Sequence, residues 1–194
     1  MSPAYIQAVS ENLPEASIVF DHFHIVKLLN DKLSALRRQL YRETTETLQR
    51  EALKGLRWIL LKKPKNLDEK RNEKERLEMA LKINQPLAAA YYLKEDLRQL
   101  WLQNSKKEAK EFLADWIKRA IVSGIRILVK FAGTLMAHRS GILAYYDHPI
   151  STGPLEGTNN KIKTMQRQAY GYRDKEFFML KIFALHRTKY ALIG

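Results

Sequence analysis

The chain contains no cysteine, which excludes disulfides and any thiolate metal site and suits a reducing cytoplasm. It also lacks a long apolar run. The most apolar stretch, IRILVKFAGTLMA (125–137), is short and carries Arg126 and Lys130, so it cannot span a bilayer. The opening MSPAYIQAVSENLPEA has neither the basic start nor the apolar h-region of a secretory signal. A phosphate-cradling glycine loop, a dinucleotide fingerprint, a nucleophile elbow and zinc-ligand spacing are all missing, which excludes the common nucleotide-, ester- and zinc-dependent chemistries. Acids are scarce: 21 Asp and Glu stand against 34 Lys and Arg, leaving a net charge of +13. Such an excess speaks to partners, with nucleic acid first and an anionic membrane surface second. The expectation is a cytoplasmic protein with a polyanionic partner and no membrane segment.

What is present is ordinary globular composition, 45% hydrophobic, in a chain long enough for one good core. Ser2 and Pro3 read as the start of a short helix. The apolar, β-branched run EASIVF (15–20), bounded by Pro14 and Asp21, predicts the one strand. From residue 22 the period turns helical, with Ile25, Leu28, Leu29, Leu33, Leu36 and Leu40 on one stripe. A second helix is expected over TETLQREALKGLRWILLKK, then a charged, solvated connection at 62–76, then further helices to about 147. Tyr91, Tyr92, Trp101, Phe112 and Trp116 fall at helical spacings among aliphatics and read as core. No internal repeat or sustained heptad appears. Pro154 opens another helix to about Arg167, AYGY turns the chain, and a last amphipathic helix follows.

Two constellations carry chemistry. On the helix from Pro154, Glu156, Asn160, Lys163 and Arg167 are spaced i, i+4, i+7, i+11, which places them in a stripe roughly 60° wide. An acid above amides and cations suits a metal-dependent phosphoryl-transfer site on a polyanion. The same spacing also fits Gly153 as N-cap, Glu156 as the N3 acid of a capping box, and a solvated polar face below. In IVFDHFH, Asp21 follows the strand and His24 lies one turn on, as a ligand pair or as a helix cap and a partly buried ring. RQAYGYRDK (167–175), with Arg167, Tyr170, Tyr172, Arg173 and Lys175, suits contact with a nucleic-acid backbone, since its acids are few and glycine permits close approach.

Jointly, MSPAYIQAV, LPEASIVFDHFHIVK and GPLEGTNNKIKTMQRQAYGYRDKEFFMLKIF resemble bacterial insertion-sequence transposases of the ISL-three group, which are DDE enzymes with a ribonuclease-H-like core. The resemblance spans nearly the whole chain. It implies that Glu156 is the last acid of the catalytic triad and that Asp21 and His24 form the D-x-x-H pair. It makes Glu156 and Asp21 metal ligands for Mg²⁺ or Mn²⁺ in the intact enzyme. Asn160, Lys161, Lys163, Arg167, Arg173 and Lys175 become contacts to transposon-end duplex DNA.

The same resemblance sets the fold expectation: a predominantly α chain that is the C-terminal part of an α/β ribonuclease-H-like core. Residues 1–30 would be a remnant of that core, 31–147 an all-helical insertion, and 148–194 the core helices carrying the Glu motif. The family's first two catalytic Asp residues are expected upstream, so the chain reads as a truncated transposase, catalytically incomplete as given and without metal of its own. The alternative is a basic helical module that binds DNA, or that binds and inhibits an intact transposase. A second copy of the chain or an intact transposase are the expected protein partners, and the bacterial nucleoid the expected location.

Overall fold

The computed structural model describes residues 3–150 and 152–191, and the expected cap Ser2 lies outside them. The chain divides into two compact units, Met1–Ile150 and Ser151–Gly194. Among the described residues the regular structure is helical throughout and no strand forms. The predominantly α expectation therefore holds.

In the first unit, α1 (Pro3–Asn12) precedes an irregular extended segment, and α2 (His22–Glu43) then supplies the central rod. Its buried Ile25, Leu29, Leu33 and Leu36 recur every three or four positions, so one stripe of the helix is dry. Around it lie α3 (Thr47–Leu53), α4 (Leu56–Ile59), α5 (Glu73–Ile83), α6 (Gln85–Leu97), α7 (Lys106–Val122), α8 (Arg126–Ala137) and α9 (Arg139–Leu143). The rod packs chiefly on α6, α8 and α3, and α7 packs on α8. It also runs through the 30/31 boundary expected from sequence, so residues on both sides share one core. Trp116 of α7 anchors that core: it is fully buried, sits edge-on to Phe131 of α8 at 5.7 Å, and donates from Nε1 to the Leu93 carbonyl of α6 at 2.8 Å.

The expected strand at 15–20 is corrected to extended, unladdered chain. An apolar β-branched run becomes a strand only when a neighbouring strand takes its backbone groups. Here Phe20 N–H donates instead to the Gly141 carbonyl at 3.0 Å, and the Phe20 ring lies edge-on to His138 at 5.1 Å. The close approach needs glycine: a Cβ on Gly141 would meet the Phe20 ring at 2.6 Å and the Ile18 carbonyl at 2.9 Å.

The single helix expected after residue 44 is instead broken into α3 and α4 at Gly55, whose φ of 73° lies in the left-handed region. Leu53, Leu56, Ile59 and Leu60 on either side of the break are all buried. The charged connection is likewise more than a solvated turn. Glu73 is buried and accepts from Lys62 Nζ at 2.8 and 2.6 Å and from Asp68 N–H at 2.8 Å. Lys62 beside it, and then the Asp68 amide, hold its carboxyl below the usual range. Of the aromatics assigned to the core, Tyr91 and Trp116 are buried and Trp101 and Phe112 pack against it, but Tyr92 faces solvent.

Lys94 is the residue the periodicity did not single out. It is 1% exposed, donates from Nζ to the Leu60 carbonyl at 2.8 Å, pairs with Glu95, and lies 4.5 Å from the Tyr91 ring centre. Burial pulls its ammonium below the ordinary lysine range, and burial pushes Tyr91 up to about 12. The two shifts have opposite consequences. Below its folded pKa, Lys94 stays charged in both states and the whole desolvation cost stands. As pH rises from there to the ordinary lysine value, the unfolded chain binds the extra proton and stability rises. Tyr91 stays protonated when folded while the unfolded tyrosine ionises, so its contribution is lost from about pH 10 to about pH 12. Alkaline urea titrations should therefore lose the rising part in Lys94→Met and the falling part in Tyr91→Phe. Identical pH profiles for wild type and both variants would refute the assignment.

Candidate nucleic-acid interface

The second unit consists of α10 (Gly153–Gln168) and α11 (Lys175–Ala191), joined by a turn. Because α10 is continuous, Glu156, Asn160, Lys163 and Arg167 do stand on one side of it, along about 16 Å of helix at 1.5 Å per residue. All four are exposed. Lys161 is exposed too, but about 140° round the helix from Glu156, on a different face. The helix starts one residue earlier than expected: Thr152 is the N-cap, so Glu156 occupies the fourth helical position rather than the third. That register removes it from the acid position of a capping box. Ile162 and Met165 turn partly inward, whereas Leu155 is 67% exposed.

Between residues 153 and 175 five cations face two acids. Asp174 Oδ1 accepts from Phe177 N–H at 3.0 Å and caps α11. Arg173 and Lys175 flank it, both exposed. The turn itself is a Schellman ending of α10. Tyr170 N–H donates to the Arg167 carbonyl at 3.2 Å and Gly171 N–H to the Gln166 carbonyl at 2.9 Å. Its left-handed position is held by Tyr170 at φ 52°, followed by Gly171 at φ 98°. An open groove beside the turn is lined by Asn160, Lys163, Gln166, Arg167, Tyr170 and Gly171. Gln166 and the backbone of Tyr170 were not marked by the stripe spacing.

In the first unit, Asp21 is 4% exposed and caps α2, accepting from Phe23 N–H at 2.7 Å. His22 Nδ1 lies 3.4 Å from Asp21 Oδ1, and the His24 side chain is exposed. The His22 ring packs against Trp101 at 5.7 Å and Tyr145 at 6.3 Å. The sequence signal for His22 is its adjacency to a capping acid.

Asp21 and His24 belong to the first unit, and Glu156 with the six expected DNA contacts belongs to the second. Among the described residues no group of three or more His, Cys, Asp or Glu could hold a metal ion. Within either unit, one candidate carboxylate does not fit a Mg²⁺ pair, which needs several well-placed oxygens. What α10 and the turn do offer is cations, amides and one exposed aromatic ring, the donor set that holds phosphates and bases. No helix among the described residues is long and apolar enough to cross a membrane.

A family model described as "Transposase" matches residues 1–182. The transposase for insertion sequence element IS1001 of Bordetella parapertussis is 39% identical over 186 residues, which cover 95% of this chain and 45% of that protein. The transposase for insertion sequence element IS1557 of Mycobacterium tuberculosis, in strains CDC 1551 / Oshkosh and ATCC 25618 / H37Rv, is 30% identical over 190 residues, covering 87% of this chain and 42% of that protein. The chain thus spans less than half the length of these curated relatives. No solved structure matches it.

Proposed function

Because the chain belongs to the insertion-sequence transposases of the ISL3 group, we propose that it grips transposon-end duplex DNA for metal-dependent phosphoryl transfer and supplies part of the catalytic site. The observation that carries the reading is the continuous face of α10, with Glu156 above Asn160, Lys163 and Arg167. The cations hold successive phosphates, and Arg173 and Lys175 extend the contact past the turn. Glu156 is the one acid this face contributes. Asp21 and His24 serve the same chemistry in the intact enzyme. The remaining acids come from outside these residues, and the chain alone does not complete the reaction.

In this reading residues 1–30 are part of a ribonuclease-H-like core, 31–147 an all-helical insertion, and 148–194 the return to the core. Support for the first assignment is the extended 15–20 segment, which has the composition of a strand and no ladder partner among the described residues. The purified chain, incubated with insertion-sequence ends and Mg²⁺ or Mn²⁺, is expected to give no nicked or joined product while still retarding the duplex. Metal-dependent nicking abolished by Glu156→Gln would overturn the incompleteness. Absence of any duplex binding would overturn the whole reading.

A further inference from the structure

Tyr170 holds a backbone conformation that its side chain makes costly. The left-handed region brings Cβ close to the following carbonyl, so non-glycine residues there are uncommon and Asn, Asp or His lead among them. At the residue closing a Schellman ending the usual choice is glycine. A tyrosine can be held there when its ring packs into the fold and the contact offsets the strain. This ring does not: Tyr170 is 99% exposed. Its neighbour two positions on behaves in the opposite way, because Tyr172 is partly buried and stacks on Phe178 with ring centres 5.1 Å apart at 27°. One tyrosine of the AYGY turn packs on α11 and the other stands in solvent. Strained residues of this kind concentrate at functional sites.

The surroundings define what the ring meets. It stands at the mouth of the groove formed by Asn160, Lys163, Gln166 and Arg167. Arg167 is steadied from within the helix, its Nε donating to the Lys163 carbonyl at 3.3 Å. An exposed aromatic face next to amides and cations matches a nucleic-acid strand whose backbone lies on the charges and whose base lies on the ring. An intact duplex cannot offer that base, because its bases are stacked on one another. A frayed end, a flipped base or a single-stranded extension can.

We propose that the turn after α10 is a base-stacking site, in which Tyr170 receives an unpaired base of a DNA strand whose phosphates lie along Lys163 and Arg167. The inference rests on the DNA reading above and adds the strand state that the turn recognises. Gly171, at φ 98° and with open space about its Cα, lets the strand pass close to the backbone. The Asn160 and Gln166 amides can donate to a phosphate or a base edge and accept from a base edge.

The test compares two duplexes that carry the same short overhang, one with adenines and one with abasic nucleotides. Their phosphate charge is identical, so the affinity ratio isolates the bases. The full 194-residue chain is expected to bind the adenine overhang about tenfold more tightly, within what base–aromatic stacking supplies. Tyr170→Ala should reduce the ratio to near one, and Tyr170→Trp should keep it. Tyr170→Gly should abolish the ratio while raising the thermal midpoint, because glycine relieves the left-handed strain. That last variant separates loss of contact from loss of fold. A wild-type ratio near one, or a ratio that Tyr170→Ala leaves intact, overturns the stacking site. If blunt duplex still binds with steep salt dependence in that case, the DNA-gripping role stands without it. No binding to any probe overturns both.

Discussion

Trp116→Ala is expected to lower the unfolding free energy of the first unit by about 3–5 kcal/mol, the range for emptying an aromatic site in a well-packed core. Three helices meet at this side chain. Its ring is fully buried and crosses Phe131 of α8 at 81°, and its indole N–H serves the Leu93 carbonyl of α6. Alanine removes the dispersion contacts, leaves a cavity and loses the indole hydrogen bond, so the losses compound. Trp116→Phe keeps most of the ring contact and loses the hydrogen bond, with an expected cost of about 0.5–1.5 kcal/mol for that bond. Urea unfolding followed by far-ultraviolet circular dichroism reads both. A loss below about 1 kcal/mol for the alanine variant would show that α6, α7 and α8 are joined elsewhere.

The helices were legible because burial imposes a period of 3.6. The apolar stripe of α2 could be read from its leucines alone, and so could the aromatic spacing that places Trp116 inward. What composition could not decide was the state of 15–20. A short β-branched run has the same signature in a sheet or lying extended on a helix, and the deciding contact, Phe20 to Gly141, is 121 residues away. Gly55 went unread for a related reason: an isolated glycine is tolerated inside a helix, and Leu53, Leu56, Ile59 and Leu60 fit one helical face with or without a break. Lys94 left a trace, as a cation at the core-facing spacing of Leu87, Ala90, Tyr91 and Leu97. At the site, the Glu156-to-Arg167 stripe was visible because it needs only a continuous helix. The exposed Tyr170 was visible as a residue type, but its left-handed backbone is a property of the turn.

Duplex binding by the whole chain is expected to weaken steeply with salt, and the Lys163→Ala/Arg167→Ala variant should flatten the log–log slope by about 1.8, since each phosphate contact contributes about 0.9. Between about 50 and 200 mM salt this means the variant loses roughly tenfold less affinity than the wild type. Both cations are exposed on one side of α10, so their removal costs the fold little and the comparison reports contact. Arg173→Ala/Lys175→Ala should act in the same direction from the far side of the turn. Lys161→Ala should have a smaller effect, because that side chain stands on another face of the helix. Glu156→Gln should leave binding unchanged or slightly tighter, since it removes a negative charge facing the DNA backbone. Fluorescence anisotropy across a salt series measures all five proteins on one duplex. Binding indifferent to salt, or a slope unmoved by the paired alanines, would remove α10 as the DNA-facing surface.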